Sequence, residues 1–217
     1  MSILYKRKAY RIIPRKPENR IWYLIDSNFL INKYLDSEYI QNPKEKKLVE
    51  DAHYYWSIID EQIASSKATV LILDVCIAET FKNLAKKEYF KPCVFPDSNK
   101  YHRALRNLRK DLQLRIGEAR RVNRKIQYHD IQTNRDIIIG VDRYFEQTYK
   151  KNIRVTIIDL MILSTSKYLQ DFFGFSKDDL FIITQDGPLY KLAKMIPDIP
   201  KTFNPSAPSD LYKKVFI

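Results

Sequence analysis

Four carboxylates in this chain stand at the edge of apolar runs, where an unpaired charge is costly. The runs read WYLI before Asp26, VCIA before Glu79, VTII before Asp159 and FIIT-Gln185 before Asp186. Burying an ionised carboxylate without compensation costs several kcal/mol, so such residues neutralise, pair or hold a cation. No Lys or Arg stands next to Asp26 or Asp159 in the sequence to do the pairing. Four acids of this kind point to a divalent metal site, and the fold has to bring them together.

The spacing of apolar residues says how. Ile21 to Ile25 is a short run rich in β-formers, with charge before it and Asp-Ser-Asn after it, and reads as a buried strand. Thr69 to Leu73 and Leu180 to Thr184 read the same way, and Ile199 to Phe203 is a candidate last strand. Between them the spacing turns helical. Leu48, Ala52, Tyr55, Ile59 and Ile63 mark a helix within Lys44 to Lys67, and Asp74 is placed to cap a helix running through Lys87. Pro92 and Pro96 make Lys91 to Asn99 a loop.

A long amphipathic helix is expected from about Tyr101 to Gln127, its apolar stripe running from Leu105 and Leu108 to Ile126. A loop over Asp130 to Asp136 leads into a helix from Ile137 to Lys150, and further helices are expected over Asp159 to Phe173 and Pro188 to Met195. Strands alternating with helices predict an α/β domain with a mainly parallel sheet. Sites in such sheets form at the carboxyl ends of the strands. Asp26 and Asp186 follow strands, Asp159 follows the apolar run Ile153 to Ile158, and Glu79 lies about a turn into the helix after the second strand.

The chain has 217 residues, of which 45% are hydrophobic, enough for one domain with a proper core. No apolar stretch approaches the roughly 18 uncharged residues of a membrane span. The basic N-terminus lacks the apolar segment of a secretory signal. Cys76 and Cys93 form neither a metal-binding spacing nor a disulfide framework. Together these predict a cytoplasmic protein with no membrane partner.

The net charge of +12 is concentrated in two places. Residues 1–20 hold seven basic side chains against Glu18 alone, and residues 100–135 hold eleven against three acids, leaving the rest near neutral. Basic attachments on a neutral body are the footprint of a polyanion binder, although a basic helix can also be mere solvated surface. The division expected is a basic arm over 1–20 and one domain over 21–217, with a helical insertion at about 97–150. Arg103, Arg106, Arg109, Lys110, Arg120, Arg121, Arg124 and Lys125 are the candidate nucleic-acid contacts on the long helix.

Clustered carboxylates suit Mg²⁺ or Mn²⁺, which take hard oxygen ligands and keep waters and substrate phosphates in their shell. Such a site can activate water for in-line displacement at phosphorus. Each acid also has a plainer explanation. Asp186 precedes Gly187-Pro188 and could simply cap a helix, and Asp159 could favour the positive end of another. Asp26-Ser27-Asn28 could be a capping turn, and Glu79 a solvated residue near Lys82. The recurrence of the pattern at separated places is what favours a shared site. Asp74, Asp178 and Asp179 are nearby acids with a weaker claim.

The segments YLIDSNFLI, CIAETFKNLAKK, IIDLMILSTSKYL and FIITQDGPLYKLA resemble, in order, the motifs of PIN-domain ribonucleases, a family that includes the toxins of VapBC-type toxin–antitoxin pairs. Asp26, Glu79, Asp159 and Asp186 match its four acids, Thr184 its supporting threonine, and Ser27 and Asn28 the small polar residues after the first Asp. The segment KTFNPSAPSDLY resembles the family's final strand and Asn-Pro turn. The resemblance implies a three-layer α/β/α sandwich, Mg²⁺ or Mn²⁺ at the acids, and endonucleolytic cleavage of RNA. It also implies Asp26, Asp159 and Asp186 as ligands, Glu79 completing the cluster and orienting water, and Thr184 and Asn28 holding carboxylates or water. An antitoxin partner and a homodimer come with it as expectations. The basic arm, the insertion and the long stretch from Asp159 to Asp186 depart from a compact member of the family.

Other chemistries fit less well. A non-catalytic RNA-binding module would need the basic segments but not the acids. A metal-dependent DNA nuclease stays open, since backbone hydrolysis at such a site needs no 2′-hydroxyl. A phosphatase with a nucleophilic Asp wants Asp-x-Asp, where this chain has Asp26-x-Asn28. Gly117, Gly140, Gly174 and Gly187 form no phosphate-cradling loop, and His53, His102 and His129 are scattered. Tyr54-Tyr55-Trp56 could stack bases, but on a helix the run suits the core and its flank.

Overall fold

The computed structural model describes residues 20–90, 94–112, 128–207 and 215–216. The first strand, β1 (Ile21–Ile25), is followed by a short helix, α1 (Ser27–Asn32), and by the long α2 (Pro43–Ala64). Next come β2 (Ala68–Leu73), α3 (Asp74–Tyr89) and α4 (Ser98–Asp111). The third strand, β3 (Tyr128–Ile131), leads through α5 (Arg135–Gly140) and α6 (Asp142–Lys151) into α7 (Ile157–Phe173). Next come β4 (Leu180–Ile183), α8 (Gly187–Lys194) and β5 (Lys201–Phe203).

The five strands form one sheet in the order β3-β2-β1-β4-β5, and every neighbouring pair is parallel. Full burial of β2 and β4, and of all of β1 but its first residue, explains why these runs read as continuously apolar. Successive side chains in β1 point to opposite faces, and the two large aromatics show which helices lie there. The Tyr23 hydroxyl lies 2.6 Å from Gln62 Oε1 of α2 and from Val215 O. Trp22 meets Phe175, just beyond α7, edge to face at 4.9 Å. On the first side α2 runs across the sheet, with Trp56 against Tyr128 of β3 and Tyr55 against Phe203 of β5. On the other, α5 and α6 pack on α7. The result is the expected three-layer α/β/α sandwich.

Tyr55 and Trp56 are therefore core, with Trp56 stacked on Phe29 at 5.0 Å, while Tyr54 is the exposed flank of the run. Aromatic pairs of this kind add roughly 0.5–1.5 kcal/mol beyond the area they bury. Gly140 sits where α5 meets α7. A Cβ there would collide with Ser164 Oγ, which donates to Ile137 O at 2.6 Å.

Several local expectations change. Only the middle of the stretch Asp130 to Asp136 is a loop: its first two residues end β3 and its last two begin α5. β3 pairs with β2 as an edge strand, and Asn134 then caps α5 by accepting from the Ile137 amide at 3.0 Å. Four residues with His129 and Asp130 in the middle carry too little apolar pattern to reveal a strand. The stretch 97–150 thus contributes a sheet strand as well as helices. The helix expected over Ile137 to Lys150 is two helices meeting at Val141. Asp74 is the first residue of α3, not its cap. Its carboxylate accepts from the Val75 and Thr133 amides and the Thr133 hydroxyl, tying the end of β2 to the loop after β3. Asp179 lies at the amino end of β4, away from the carboxyl ends of the strands, and its carbonyl accepts from the Trp22 amide at 2.7 Å.

Candidate metal and phosphodiester site

The strand order reverses direction between β1 and β4, and in open α/β sheets a crevice forms beyond the carboxyl ends at such a point. Asp26 directly follows β1, and Thr184, Gln185 and Asp186 directly follow β4. The two strand ends are joined by backbone and side chain. The Asp26 amide donates to Ile183 O at 3.0 Å. Thr184 Oγ1 donates to Asp26 Oδ2 at 2.8 Å and accepts from the Asp186 amide at 2.9 Å. One buried hydroxyl therefore sets the relation between two of the acids.

Asp26 occupies the cap position of α1, yet its side chain caps nothing. Its carboxylate is 1% exposed and faces Thr184 and Ser27 instead. The Ser27 hydroxyl donates to Glu79 Oε2 at 2.6 Å, with Asp26 Oδ1 3.3 Å away, so it connects α3 to the cluster. Glu79 is reached because it lies in the second turn of α3, which packs on α1.

Asp159 is not at a strand end. Ile153 to Thr156 form no strand, and Asp159 is the third residue of α7, in a capping box with Thr156. Its Oδ2 accepts from the Thr156 amide at 2.6 Å and from the Thr156 hydroxyl at 2.9 Å. Asp186 caps α8, its Oδ1 accepting from the Leu189 amide at 2.7 Å. The capping explanations for Asp159 and Asp186 are thus correct as far as they go. Each uses one oxygen as a cap, and Glu79 uses one on Ser27. Among the described residues, the second oxygen of all three has no hydrogen-bond donor.

The charges of Asp159, Asp186 and Glu79 all reach Asp26, and those of Asp186 and Glu79 reach Asp159. Burial pushes the Asp26 carboxyl up to about 7, with the Asp159 charge adding, the Thr184 hydrogen bond opposing, and Asp186 and Glu79 adding further. Burial likewise pushes Asp159 up to about 6 against the Thr156 amide and hydroxyl, and again Asp186 and Glu79 add. Among the described residues no ion pair involves any of the four.

This donor set fits Mg²⁺ or Mn²⁺: hard oxygens, mutually repelling, with unpaired lone pairs. No group of three acids, histidines or cysteines among the described residues is drawn tight enough to grip an ion alone.

Some residues at the site carry no advance signal. Buried Cys76 lies in the same field. Burial and the charges of Asp26 and Glu79 push its thiol well above the usual range, which leaves it a packing residue. Thr156 went unread, although Thr-x-x-Asp is a capping-box spacing that could have found it. The Gln185 amide donates to Leu48 O at 2.7 Å and Ser206 Oγ at 3.0 Å and accepts from Asn32 at 2.8 Å, locking three segments around the site. Asn28 makes no hydrogen bond to the acids among the described residues and lines an adjoining groove instead. Asn204, before Pro205, forms the turn after β5, its Oδ1 accepting from the Ser206 amide at 2.9 Å. Arg103, Arg106, Arg109 and Lys110 are exposed on α4, whereas Arg120, Arg121, Arg124, Lys125 and the arm through residue 19 lie outside the described residues.

A parallel sheet in this order, helices on both faces and acids gathered where the order reverses define a PIN-like α/β/α domain. No family model and no curated protein matches the chain in sequence. Its fold is similar to that of a chain in the crystal structure of VapBC2 from Rickettsia felis bound to a DNA fragment from their promoter. The TM-score is 0.50 at 11% identity, over 85% of this chain and 98% of that one. The likeness read from the four motifs therefore holds at the level of the fold.

Proposed function

We propose that this chain is an Mg²⁺- or Mn²⁺-dependent endoribonuclease. The observation that carries the reading is the convergence of Asp26, Glu79, Asp159 and Asp186 at the switch point, with no cationic side chain among the described residues to neutralise them. Asp26, Asp159 and Asp186 would hold the ion, with Glu79 completing the cluster. A divalent ion bound there supplies charge neutralisation at phosphorus and a lowered pKa for the attacking water.

The chain's own residues do the rest. Thr184 and Ser27 hold the carboxylates in place, so little reorganisation is needed as charge develops. The oxygen of Glu79 that Ser27 does not use would orient the water. Burial of Asp26 and Asp159 keeps bulk solvent from screening the site. The cations exposed on α4 supply long-range attraction for RNA.

The likeness to a chain of the VapBC2 assembly adds a second protein to the reading, an antitoxin in whose absence the nuclease is toxic. It also supports a homodimer. No helix among the described residues is long and apolar enough to cross a membrane.

The test is cleavage of end-labelled total RNA by wild type and Asp26→Asn, with Mg²⁺, Mn²⁺ or EDTA. The expected result is cutting that needs the metal and falls more than about a hundredfold in the variant, beyond what loss of a merely supporting residue costs. Retention of RNA by both proteins without cutting under any metal would leave a binding module. Cutting of matched DNA at the same rate would remove the preference for RNA.

A further inference from the structure

We propose that a single-stranded substrate leaves the acids along α3, in a groove whose Asn83, Lys44 and Lys86 hold the nucleotides next to the scissile phosphate. The proposal rests on the endoribonuclease reading and adds to it the strand's path. The groove has a volume of about 490 Å³, and its lining includes Asn28 and Asp186, so it opens directly on the acid cluster. That volume suits a nucleotide-sized ligand and not a double helix.

The helical repeat makes the groove continuous with the site. Glu79, Asn83 and Lys86 are spaced by four and three, which puts them on one face of α3. At 1.5 Å per residue, Asn83 lies about 6 Å and Lys86 about 10 Å beyond Glu79 along the axis. A strand with its scissile phosphate at the acids would thus meet an amide first and a cation next. Asn83 and Asn28 offer paired donors and acceptors of the kind that read base edges, which only an unpaired strand exposes at such a wall.

The far wall is the start of α2. Asn42 caps that 22-residue helix by accepting from the Lys44 and Glu45 amides, and the positive end of the helix favours a phosphate. Lys87 also lines the groove but is ion-paired with Glu45. Among the described residues, Lys44 and Lys86 have no carboxylate partner and are exposed, ready for a polyanion.

The experiment measures binding of a fluorescent single-stranded RNA, and of its duplex, across a salt series. The protein carries Asp26→Asn, so nothing is cut, with and without Lys44→Ala and Lys86→Ala. Cleavage is measured in parallel with the same lysines replaced in the wild-type background. Loss of two phosphate contacts should lower the slope of log K against log salt by about 1.4 for the single strand. It should weaken binding about tenfold or more at low salt and raise KM with kcat little changed. Asn83→Ala should alter which sites are cut without altering the slope.

An unchanged slope and KM in an active nuclease would overturn the groove while the nuclease reading stands. A lowered slope in a protein that never cuts would overturn the nuclease reading and keep the groove. An equal change of slope for the duplex would overturn the single-strand assignment.

Discussion

Helices α3 and α4 pack side by side, yet they relate to a polyanion in opposite ways. Along α4, five basic side chains stand against one acid, and Arg103, Arg106, Arg109 and Lys110 all face solvent. Along α3 the three lysines are balanced by three acids, and one of those acids is Glu79. Charge alone selects α4 as the nucleic-acid contact. Contiguity selects α3, because its polar face runs unbroken from the acid cluster into the groove. Charge density governs how fast and how tightly a strand is attracted, whereas position relative to the acids governs which bond is presented.

That contrast can be broken most severely at Thr184. Replacing it with Val leaves Asp26 Oδ2 and the Asp186 amide without their shared partner. Activity should fall roughly 10- to 100-fold in kcat, as for other residues that orient metal ligands. The Thr184 hydrogen bond opposes the upward shift of Asp26, so its loss should also move the acid limb of the pH–rate profile to higher pH. A fall in kcat with no movement of that limb would reduce Thr184 to a packing role.

A smaller effect is expected on α4. Replacing Arg106, Arg109 and Lys110 together with Ala should raise KM by about tenfold at low salt. The penalty should shrink as salt rises, and kcat and the cleavage sites should stay unchanged, because exposed charges act through a screened field. Altered cleavage sites would mean that α4 touches the reacting segment, and the contrast with α3 would fail.

The smallest effect is on stability. Asp26 and Asp159 keep their protons to higher pH in the folded chain than in the unfolded one. Between about pH 4 and pH 7 the folded state therefore binds more protons, and stability without divalent ions should fall as pH rises through that window. Asp26→Asn should raise the melting temperature at neutral pH by several degrees, on the order of 1–3 kcal/mol. Mg²⁺ should stabilise wild type more than the variant, since binding needs the ionised carboxylates. A melting temperature flat from pH 4 to 7 in EDTA would contradict the buried, mutually repelling site.

Much of the frame was legible because burial on both faces leaves strands continuously apolar. Ile21–Ile25 reads off the sequence with its observed ends, and β2, β4 and α2 come within three residues. β3 was not legible, since an edge strand of four residues is held by its neighbour β2 and not by its own pattern. Asp26 and Asp186 were legible from strand-end position. Asp159 was found from the apolar run before it and was expected to open a helix, which in fact begins two residues earlier, where Thr156 fixes the start of α7.

The sequence by itself determined the kinds of groups available: four acids beside apolar runs, no adjacent cation, and a surplus of lysine and arginine in two blocks. Those are local properties, set by side-chain chemistry and short-range periodicity. Only the tertiary structure decided that the acids meet where β1 and β4 part and that Ser27 and Thr184 wire them together. It alone placed Asn83 and Lys86, unremarked in the sequence, on the wall leading out of the site. Such relations depend on strand order and on which helix faces pack, which long-range burial settles and no window of sequence contains.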